Sequence, residues 1–572
     1  MLLQIFLPTQ LRAETTVDTA SQRPAQTIRN VTILVKDLFE EENLGSFYST
    51  ANSLKVNTRQ EVVERELLFK AGDKYDAFVV EESERAVRAL PFLRRVAITA
   101  LPDGDFVDIV VSVQDTWTLI PQFSFSIGGG SDKKSIGLAE TNILGTGKRA
   151  EALFADDEGR KKIEGVWDDR QVWGTNNRLV LGYFDRSDGY RTVGFLGRPF
   201  RSLVSPYSWS VNTDFADTIS RLFEASEERY IYRNKHEEAQ GRFILSSGEA
   251  NELVQRYGLG YAYELDNFTQ ADASDFDDVD LNPADLSQDP SLLAEDRKFS
   301  GPLVSYERIE PEFISLNYID KFERVEDFNI GNRFSFQGTY AAEILDSKEN
   351  TFLLSLADGD GLSLSPTSFV RGELGVSTRM TSSEFDNTLF RGEGRYYNVL
   401  GATYLAGLYL GKHTIASNVR FDFGEGLDRD REFVLGASSG LRGYKNRTFA
   451  GSKRFVMNIE DRFHLVEDLF RLVNVGGAFF ADLGGISRAA VGDIFDDNLY
   501  SNIGFGLRFG LPRASGGGVL RVDISFPLRD GPDGSNQFEP RILISTGQIF
   551  NSRMSSESVG AVEANVGTGF DR

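Results

Sequence analysis

Short segments in which apolar and polar residues alternate dominate the chain from about residue 117 to residue 550. In VLRVDISFPL, residues 519–528, apolar side chains alternate with Arg521, Asp523 and Ser525. Alternation of this kind predicts β-strands with one apolar and one polar face. It is typical of a soluble sheet with one wet face and also of a membrane barrel with a polar lumen, so the pattern alone leaves both open.

Residues 28–115 carry a different pattern, in which apolar positions at helical spacing lie between alternating segments. Thr58 and Glu61 have the spacing of a capping box at the start of one helix, and Asp76 is placed to cap a second. Two alternating segments joined by a Pro-Asp-Gly turn close the unit. The sequence therefore predicts a compact domain in the order strand, helix, helix, strand, strand.

Composition narrows the class of protein. The chain has 55 Gly and 44 Phe but 4 Met, which is a profile rich in turns and strands. Its net charge of −23 disfavours nucleic acid as a partner, because phosphates require Lys and Arg. No apolar run is long enough for an ordinary transmembrane helix, which leaves a barrel open. The absence of Cys excludes disulfides, thiolate metal sites and cysteine nucleophiles.

Three polar segments fall outside these patterns. Residues 1–27 fit either the remnant of a signal peptide or a disordered N-terminus, and we expect the Ser/Gly-rich residues 551–572 to be a disordered tail. Residues 267–297 form a long acidic loop. Its aspartates at 275, 277, 278 and 280 are candidate Ca²⁺ ligands, but they lack the EF-hand spacing, which favours a solvated loop.

Two neighbouring strand segments place carboxylates on polar faces. Glu460 lies opposite the apolar face of its segment, and Asp482 shares a face with Phe480 and Gly484. If the apolar faces meet lipid, both carboxylates point into the lumen, where they need a cation. Arg442 in the preceding loop is the candidate, because its planar guanidinium can bind a carboxylate through two hydrogen bonds.

The same loop contains Gly436-Ala437-Ser438-Ser439-Gly440, which spells the Gly-x-Ser-x-Gly of serine hydrolases. A nucleophile elbow needs a helix after the serine, whereas a polar loop follows here, and the only later histidine is His464. His236 and His413 each stand alone in polar surroundings. We therefore expect no enzyme activity, no cofactor and no metal site.

Several of these stretches resemble known families. Residues 58–98 resemble the core of a polypeptide-transport-associated (POTRA) domain, with an unrelated ferredoxin-like module as the alternative. Leu441-Arg442-Gly443-Tyr444 resembles the lumen-loop motif of the BamA/TamA outer-membrane assembly superfamily (bacterial surface antigen type). FFADLGG, residues 479–485, contains that family's Phe-x-Asp-x-Gly partner. RILISTGQIF, residues 541–550, resembles the terminal-strand signal of outer-membrane barrels, with Gly547 and Phe550 in the matching places.

The resemblance covers roughly residues 28–550 and implies a fold. It implies an all-β transmembrane barrel of about sixteen antiparallel strands at residues 117–550, preceded by one α+β POTRA domain at residues 28–115. A direct tally of strand-like segments comes nearer to about twenty. The implied location is the Gram-negative cell outer membrane, with the POTRA domain in the periplasm. Inside the barrel, Arg442 would pair with Asp482 and Glu460 as a loop lock.

The implied function is insertion or translocation of proteins through the POTRA domain and a seam between the segments near 119–128 and 540–550. The implied partners are outer-membrane lipid and an unfolded client protein or a periplasmic or lipoprotein partner bound by the POTRA domain. We expect a monomer and no nucleic acid. Two departures from the family are the single POTRA domain and the residues that follow Phe550. A passive channel, a lipid-handling barrel or a surface-structural protein therefore stays as the alternative.

Overall fold

The computed structural model describes residues 26–39, 46–127, 133–157, 160–275, 286–382 and 384–546. An N-terminal α+β unit precedes a large closed barrel of antiparallel strands. The elements of the N-terminal unit are β1 (Thr27–Lys36), α1 (Ser46–Leu54), α2 (Gln60–Glu64), α3 (Ala77–Arg88), β2 (Leu93–Asp103) and β3 (Phe106–Asp115).

The elements that follow are β4 (Leu119–Ile127), β5 (Lys133–Glu140), β6 (Lys148–Asp157), β7 (Arg160–Asp169), β8 (Arg178–Arg186), β9 (Gly189–Arg198), β10 (Tyr207–Glu224), β11 (Glu227–Glu249), β12 (Leu253–Gln270), β13 (Arg297–Ile309), β14 (Phe313–Leu316), β15 (Glu326–Asn329), β16 (Arg333–Ala341), β17 (Thr351–Ser365), β18 (Ser368–Met380), β19 (Phe385–Leu405), β20 (Leu408–Glu425), β21 (Phe433–Leu435), β22 (Phe449–Gly451), β23 (Lys453–Leu469), β24 (Val473–Ser487), α4 (Gly492–Asp496), β25 (Leu499–Gly510), β26 (Val519–Pro527) and β27 (Arg541–Thr546). Two pairs, β14 with β15 and β21 with β22, form separate hairpins outside the barrel ladder.

The N-terminal unit is a three-stranded sheet in the order β1-β3-β2, in which β1 and β3 are parallel and β2 and β3 antiparallel. Its core lies on the face of β3 that carries Val107, Ile109, Val111 and Val113, all fully buried at period two. Helices α2 and α3 add Val63 and Val87 to this core. Apolar alternation along β3 is therefore what positions the two helices.

The sequence predicts one of the two helix caps of this unit correctly. The prediction for Asp76 is confirmed, because its side chain accepts hydrogen bonds from the backbone N–H groups of Phe78 and Val79 at the start of α3. The predicted capping box of Thr58 is wrong, because α2 begins after Arg59 without a side-chain cap. The Thr58 hydroxyl instead donates to the buried Asp115 carboxylate at 2.5 Å. A buried carboxylate needs donors more than an exposed helix end does.

Within the described ranges the barrel has twenty strands, each paired with its neighbours in antiparallel register, and it closes where β27 pairs with β4. The expected count of about sixteen is wrong. That number came from the family resemblance, whereas the alternating pattern itself indicated a count nearer to the observed one. The acidic loop is also shorter than expected, since residues 267–270 belong to β12 and Arg297 begins β13.

The two faces of the barrel differ in chemistry. Large apolar side chains are exposed on its outside, for example Ile136, Leu181, Leu259, Leu374, Phe390, Phe479 and Leu507. Charged and amide side chains are buried in its interior, for example Asn212, Arg256, Asp266, Arg371, Asn418, Asp482 and Asp523. This inversion of the pattern of a water-soluble protein is what a barrel with apolar surroundings and a polar lumen requires. None of the helices in the described part of the chain is long and apolar enough to span a membrane.

The N-terminal unit packs against one end of the barrel. The backbone N–H of Leu203, in the turn between β9 and β10, donates to Glu82 of α3 at 2.9 Å. Gln171, in the turn between β7 and β8, donates to the backbone carbonyl of Val62 at 3.1 Å. Because successive barrel strands alternate in direction, the connection between β20 and β23 lies at the opposite end.

Candidate functional site

The connection between β20 and β23, residues 426–452, folds into the barrel; we call it the inner loop. Its strands β21 and β22 pair with each other, with Leu435 opposite Phe449. Leu441 and Tyr444 are fully buried in an apolar cluster that includes Val456 of the barrel wall. The Tyr444 hydroxyl donates to the backbone carbonyls of Ser501 at 3.3 Å and Arg529 at 3.0 Å, which lie on the barrel side of the contact. Apolar packing therefore holds the loop inside before any charge is considered.

Arg442 is the centre of the polar part of this contact and is fully buried. Its Nε and Nη2 donate to the two carboxylate oxygens of Asp482 at 2.8 and 2.7 Å, and its Nη1 donates to Glu460 Oε1 at 2.5 Å. The guanidinium carbon lies 3.4 Å from the centroid of the Phe480 ring. Asp523 Oδ2 is 3.6 Å from Nη1. The guanidinium is thus bound along its edges by carboxylates and on one face by an aromatic ring, which Lys could not reproduce.

Two asparagines complete the hydrogen bonding of Asp482. Asn458 Nδ2 donates to Asp482 Oδ1 at 2.8 Å and to the backbone carbonyl of Gly440 at 2.8 Å. Asn502 Nδ2 donates to Asp482 Oδ2 at 2.7 Å, and its Oδ1 accepts from the backbone N–H of Gly443 at 3.1 Å. Each asparagine therefore joins the inner loop to the carboxylate that binds the loop's arginine.

Two glycines of the inner loop are needed for its close approach to the wall. A Cβ on Gly443 would lie 2.7 Å from the Asn502 Cβ and 3.1 Å from the backbone nitrogen of Pro527. Gly440 has a φ of 125°, a conformation that side chains with a Cβ rarely adopt. Ser438 and Gly436 of the Gly-x-Ser-x-Gly match also take part in the loop's internal contacts. The Ser438 backbone N–H donates to Asn446, and a Cβ on Gly436 would lie 2.1 Å from the Lys445 carbonyl oxygen.

The cluster extends to charged residues that the sequence analysis did not assign to the site. Arg462 Nε donates to Glu460 Oε2 at 2.8 Å, and Arg508 pairs with Asp523. Arg521 Nη1 lies 3.8 Å from Asp523. Strand parity is the signal that points to them, since Arg462 shares a face with Glu460, and Arg521 shares one with Asp523. Arginines and carboxylates alternate in this cluster, so each charge contacts an opposite one.

The structure thus brings together all the residues proposed for the lock within the inner loop and on β23 and β24: Leu441, Arg442, Gly443, Tyr444, Glu460, Phe480, Asp482 and Gly484. Gly484 contributes space, because a Cβ there would lie 3.5 Å from Leu441 Cγ and 3.0 Å from the Phe455 carbonyl oxygen. Gly547 and Phe550 of the terminal-strand signal lie outside the described residues, as do the aspartates at 277, 278 and 280 and the segments 1–25 and 551–572.

His236 is not isolated, which corrects the sequence-based expectation. The register of β11 and β12 places it opposite Asp266, and its Nδ1 lies 2.8 Å from Asp266 Oδ1. Glu264 lies nearby, so that one donor atom from each of the three residues falls within 4.8 Å of the others. Arg297 Nη2 donates to Asp266 Oδ2 at 3.1 Å, which gives this carboxylate a cationic partner within the protein itself.

The ring of strands closes through a short ladder. Among the described residues, β27 and β4 are matched over three residue pairs, whereas β26 and β27 are matched over six and β4 and β5 over seven. The central pair joins Leu543 and Ser126. This seam lies beside β26, which contributes Asp523 to the arginine cluster.

No family model matches the chain, and no curated protein matches it. Among solved structures, CdiB from Acinetobacter baumannii is similar over 91% of this chain and 74% of its own, with a TM-score of 0.43 and 12% identity. CdiB from Escherichia coli is similar over 91% and 76%, with a TM-score of 0.45 and 9% identity. BamA from Haemophilus ducreyi lacking POTRA domains 1–3 is similar over 91% and 84%, with a TM-score of 0.36 and 11% identity. At this level of similarity, the barrel architecture rests on the strand pairing of this chain alone.

Proposed function

We propose that this protein is an outer-membrane barrel that inserts or translocates other proteins, with its N-terminal unit acting as a single POTRA domain in the periplasm. The observation that carries the proposal is the short seam between β4 and β27, next to an inner loop that Arg442 binds to the wall. The exposed apolar outside and polar inside of the barrel support the membrane location. No covalent chemistry and no cofactor are part of the proposal.

The seam explains how a client strand would enter. A backbone N–H or C=O left unpaired in hydrocarbon costs several kcal/mol, so an open seam is unstable unless another strand pairs with it. A client strand offers those partners, which makes exchange at the seam easier than opening it. Among the described residues, β27 pairs with β4 at three positions and with β26 at six, so we assign the exchange of strands to β27 and β4.

The inner loop has a separate part in the proposal. With Arg442, Glu460 and Asp482 paired, β23 and β24 keep a fixed relation to β25 and β26 through Asn502 and Asp523. The last strands of the barrel therefore move as a unit, and flexibility is confined to the seam. A passive channel does not need strands that are held rigid next to the seam between β4 and β27.

The test exploits the absence of cysteine from the sequence. The double variant S126C/L543C places two thiols at directly opposed seam positions, where antiparallel strands bring Cα atoms within disulfide range. The matched control L507C/V522C cross-links opposed positions of β25 and β26. The measurement is a proteomic census of the outer membrane in the native host after depletion and complementation. We expect cells complemented with the seam cross-link to lack the same barrels or secreted proteins as depleted cells. Cells complemented with the control cross-link should contain them.

An unchanged census on depletion would contradict the proposal. A stable pore of fixed size in proteoliposomes, together with an unchanged census, would favour the passive channel. A census that changes on depletion but is restored by the oxidised seam variant would contradict the role of the seam while retaining a role in protein insertion.

A further inference from the structure

Residues 310–332, which connect β13 to β16, form an insertion that strand pairing does not require; we call it the inserted hairpin. Ile309 at the end of β13 and Arg333 at the start of β16 are directly opposed in the ladder. Adjacent antiparallel strands need only a short turn. Instead, the chain forms the separate hairpin of β14 and β15 at the end of the barrel that carries the N-terminal unit.

The base of the inserted hairpin packs on the inner wall of the barrel. Phe328 is fully buried, with its ring centroid 5.0 Å from that of Phe369 and 6.3 Å from that of Tyr397. Leu316 and Ile330 belong to the same apolar cluster. Burial of this many apolar groups anchors the base of the hairpin to β18 and β19.

The tip, residues 318–325, reaches strands on a different part of the ring. The Phe322 ring packs edge-on against His464 of β23, with a centroid distance of 4.5 Å, and lies against Gly510 of β25. The Tyr318 hydroxyl donates to Glu467 of β23 at 2.8 Å. In the barrel order, β25 is eight positions from β13, so the inserted hairpin crosses the lumen instead of lining one wall.

One arginine joins the tip to the site described above. Arg462 Nε donates to Glu460 Oε2 at 2.8 Å, and its Nη1 donates to the backbone carbonyl of Ile319 at 2.7 Å. Glu460 in turn accepts from Arg442. The inner loop, entering from one end, and the inserted hairpin, entering from the other, therefore share a continuous path of hydrogen bonds.

The tip also contacts the N-terminal unit. Arg324 Nη2 donates to the backbone carbonyls of Pro91 at 3.0 Å and Leu93 at 2.9 Å. In the base, Asp327 of β15 lies 3.2 Å from Arg88 of α3. A movement of the N-terminal unit relative to the barrel would therefore break bonds that hold the tip.

The inserted hairpin holds two unpaired buried polar atoms, one at the tip and one at the start of β15. Among the described residues, Arg324 Nε and Glu326 Oε2 are buried without a hydrogen-bond partner. Tyr318, where the base gives way to the tip, has a φ of 65°, which is uncommon for a residue with a side chain. Release of the tip would hydrate the two unpaired atoms and relieve the strained backbone, while the apolar base stays anchored.

We propose that the inserted hairpin is a movable plug, which closes the lumen at the end nearest the N-terminal unit and is released when that unit shifts. Residues 320–325 of the tip move, whereas Ile319 and the base of β14 and β15 stay in the apolar cluster. The plug communicates with the inner loop through Arg462. This inference concerns the gating of the lumen and holds whether the barrel handles proteins or smaller solutes.

The test is a reversible cross-link of the tip. A Cβ on Gly510 would lie 2.8 Å from Phe322 Cγ, so the Cβ atoms of a F322C/G510C pair fall close to disulfide distance. The control pair I330C/G361C cross-links the base, because a Cβ on Gly361 would lie 3.0 Å from Ile330 Cβ. Both pairs are placed in the full chain, alone and with R324A, which removes the two bonds to Pro91 and Leu93.

The measurement is conductance in planar lipid bilayers under oxidising and reducing conditions. We expect R324A to raise the open probability several-fold. In R324A, oxidation of the tip cross-link should return the open probability to the parent level, and reduction should raise it again. The base cross-link should leave the open probability of R324A unchanged. Equal conductance of R324A with the tip cross-linked or free would overturn the proposal. A closed R324A variant would also overturn it if the thiol of the double variant F322C/R324A resisted labelling from solution.

Discussion

Arg442 and Asp482 lie forty positions apart in the chain, yet two guanidinium nitrogens of Arg442 donate to both carboxylate oxygens of Asp482 at 2.8 and 2.7 Å. Both side chains are completely buried. A buried carboxylate without a cation is strongly unfavourable, so each residue makes the position of the other tolerable. The pair therefore determines where the inner loop can lie, and it is the natural place to begin testing the site.

Replacing Arg442 by Ala should free the inner loop while the barrel still assembles. Loss of one partner of a buried ion pair costs about 3–5 kcal/mol, because Asp482 is then left buried without its cation, whereas Glu460 keeps Arg462. We expect rapid trypsin cleavage after Lys445 or Arg447 and a lower unfolding midpoint for R442A. R442K should be intermediate, since it keeps the charge without the planar fork.

The matched control for this prediction is R191A. Arg191 donates to Asp214 at 2.9 Å on the inner wall of β9 and β10 and does not contact the inner loop. R191A should leave the loop as resistant to trypsin as the parent protein. Full activity and an intact loop in R442A would exclude the lock.

Gly443→Ala should displace the same loop by a steric route. The new Cβ would approach the Asn502 Cβ to 2.7 Å, and forced overpacking of this kind costs typically about 1–3 kcal/mol. G394A is the control, because a Cβ on Gly394 would meet no atom within 4 Å. Chemical denaturation should show a lower stability for G443A than for G394A, and equal stabilities would mean that the loop does not press on the wall at this point.

Lumen gating should depend on pH through Glu326. Its Oε1 accepts from the backbone N–H groups of Asp320 and Lys321 at 3.0 and 3.1 Å, which closes the tip of the inserted hairpin. Burial, and then the charge of Asp320, raise the pKa of Glu326 to about 7. An acid whose pKa is raised in the closed state favours that state while it is protonated, and this stabilisation is lost as the pH rises from the ordinary Glu range through about 7.

We therefore expect the open probability in bilayers to rise several-fold between about pH 5.5 and pH 8 in the parent protein. The groups around Glu326 also include Asp320, Lys321, Arg324 and Tyr397, and burial lowers the pKa of the Lys321 ammonium. E326Q keeps the acceptor oxygen and removes the titration, so its open probability should vary much less. An equal pH response in the parent and in E326Q would assign the effect to another group.

The N-terminal unit should depend on one buried ion pair next to the barrel. Asp115 is fully buried, pairs with Lys55 and accepts from the Thr58 backbone N–H at 2.9 Å. Asn142, before β6, donates to the Thr58 hydroxyl at 2.8 Å, so the pair also fixes the domain against the barrel. Burial lowers the pKa of the Lys55 ammonium and the Asp115 charge opposes this, so removal of the carboxylate leaves a poorly solvated cation.

D115A should therefore loosen the N-terminal unit by about 3–5 kcal/mol and make it separable by limited proteolysis. D103A is the control, since Asp103 and its partner Arg29 are both exposed and such pairs contribute about 0–1 kcal/mol. A domain equally resistant in D115A and D103A would show that Lys55 and Asp115 contribute no more than an exposed pair.

The residues that sequence reasoning placed in the site were found by a local rule. Alternation along a strand assigns Glu460 and Asp482 to a polar face, because side chains point to opposite sides at period two. Parity gives the face but not the height along the barrel, which depends on register. The contacts of Asn458 and Asn502 with Asp482 therefore could not be predicted from the sequence.

The inserted hairpin and the cap of α2 show two other limits. β14 and β15 read like any other short strand, and nothing local indicates that they leave the ladder and cross the lumen. Thr58 has a good local capping pattern, but Asp115, fifty-seven positions away, offers its hydroxyl a buried acceptor. In both cases a contact with residues distant in the sequence determines the structure, and the local sequence pattern does not.

The width of the ring has a consequence for what can pass through its lumen. Barrel diameter grows with strand number, and a ring larger than that of the porins encloses more space than wall side chains fill. Here the inner loop and the inserted hairpin enter that space from opposite ends. In an outer membrane these two segments, as much as the lipid, would exclude bulky antibiotics and detergents.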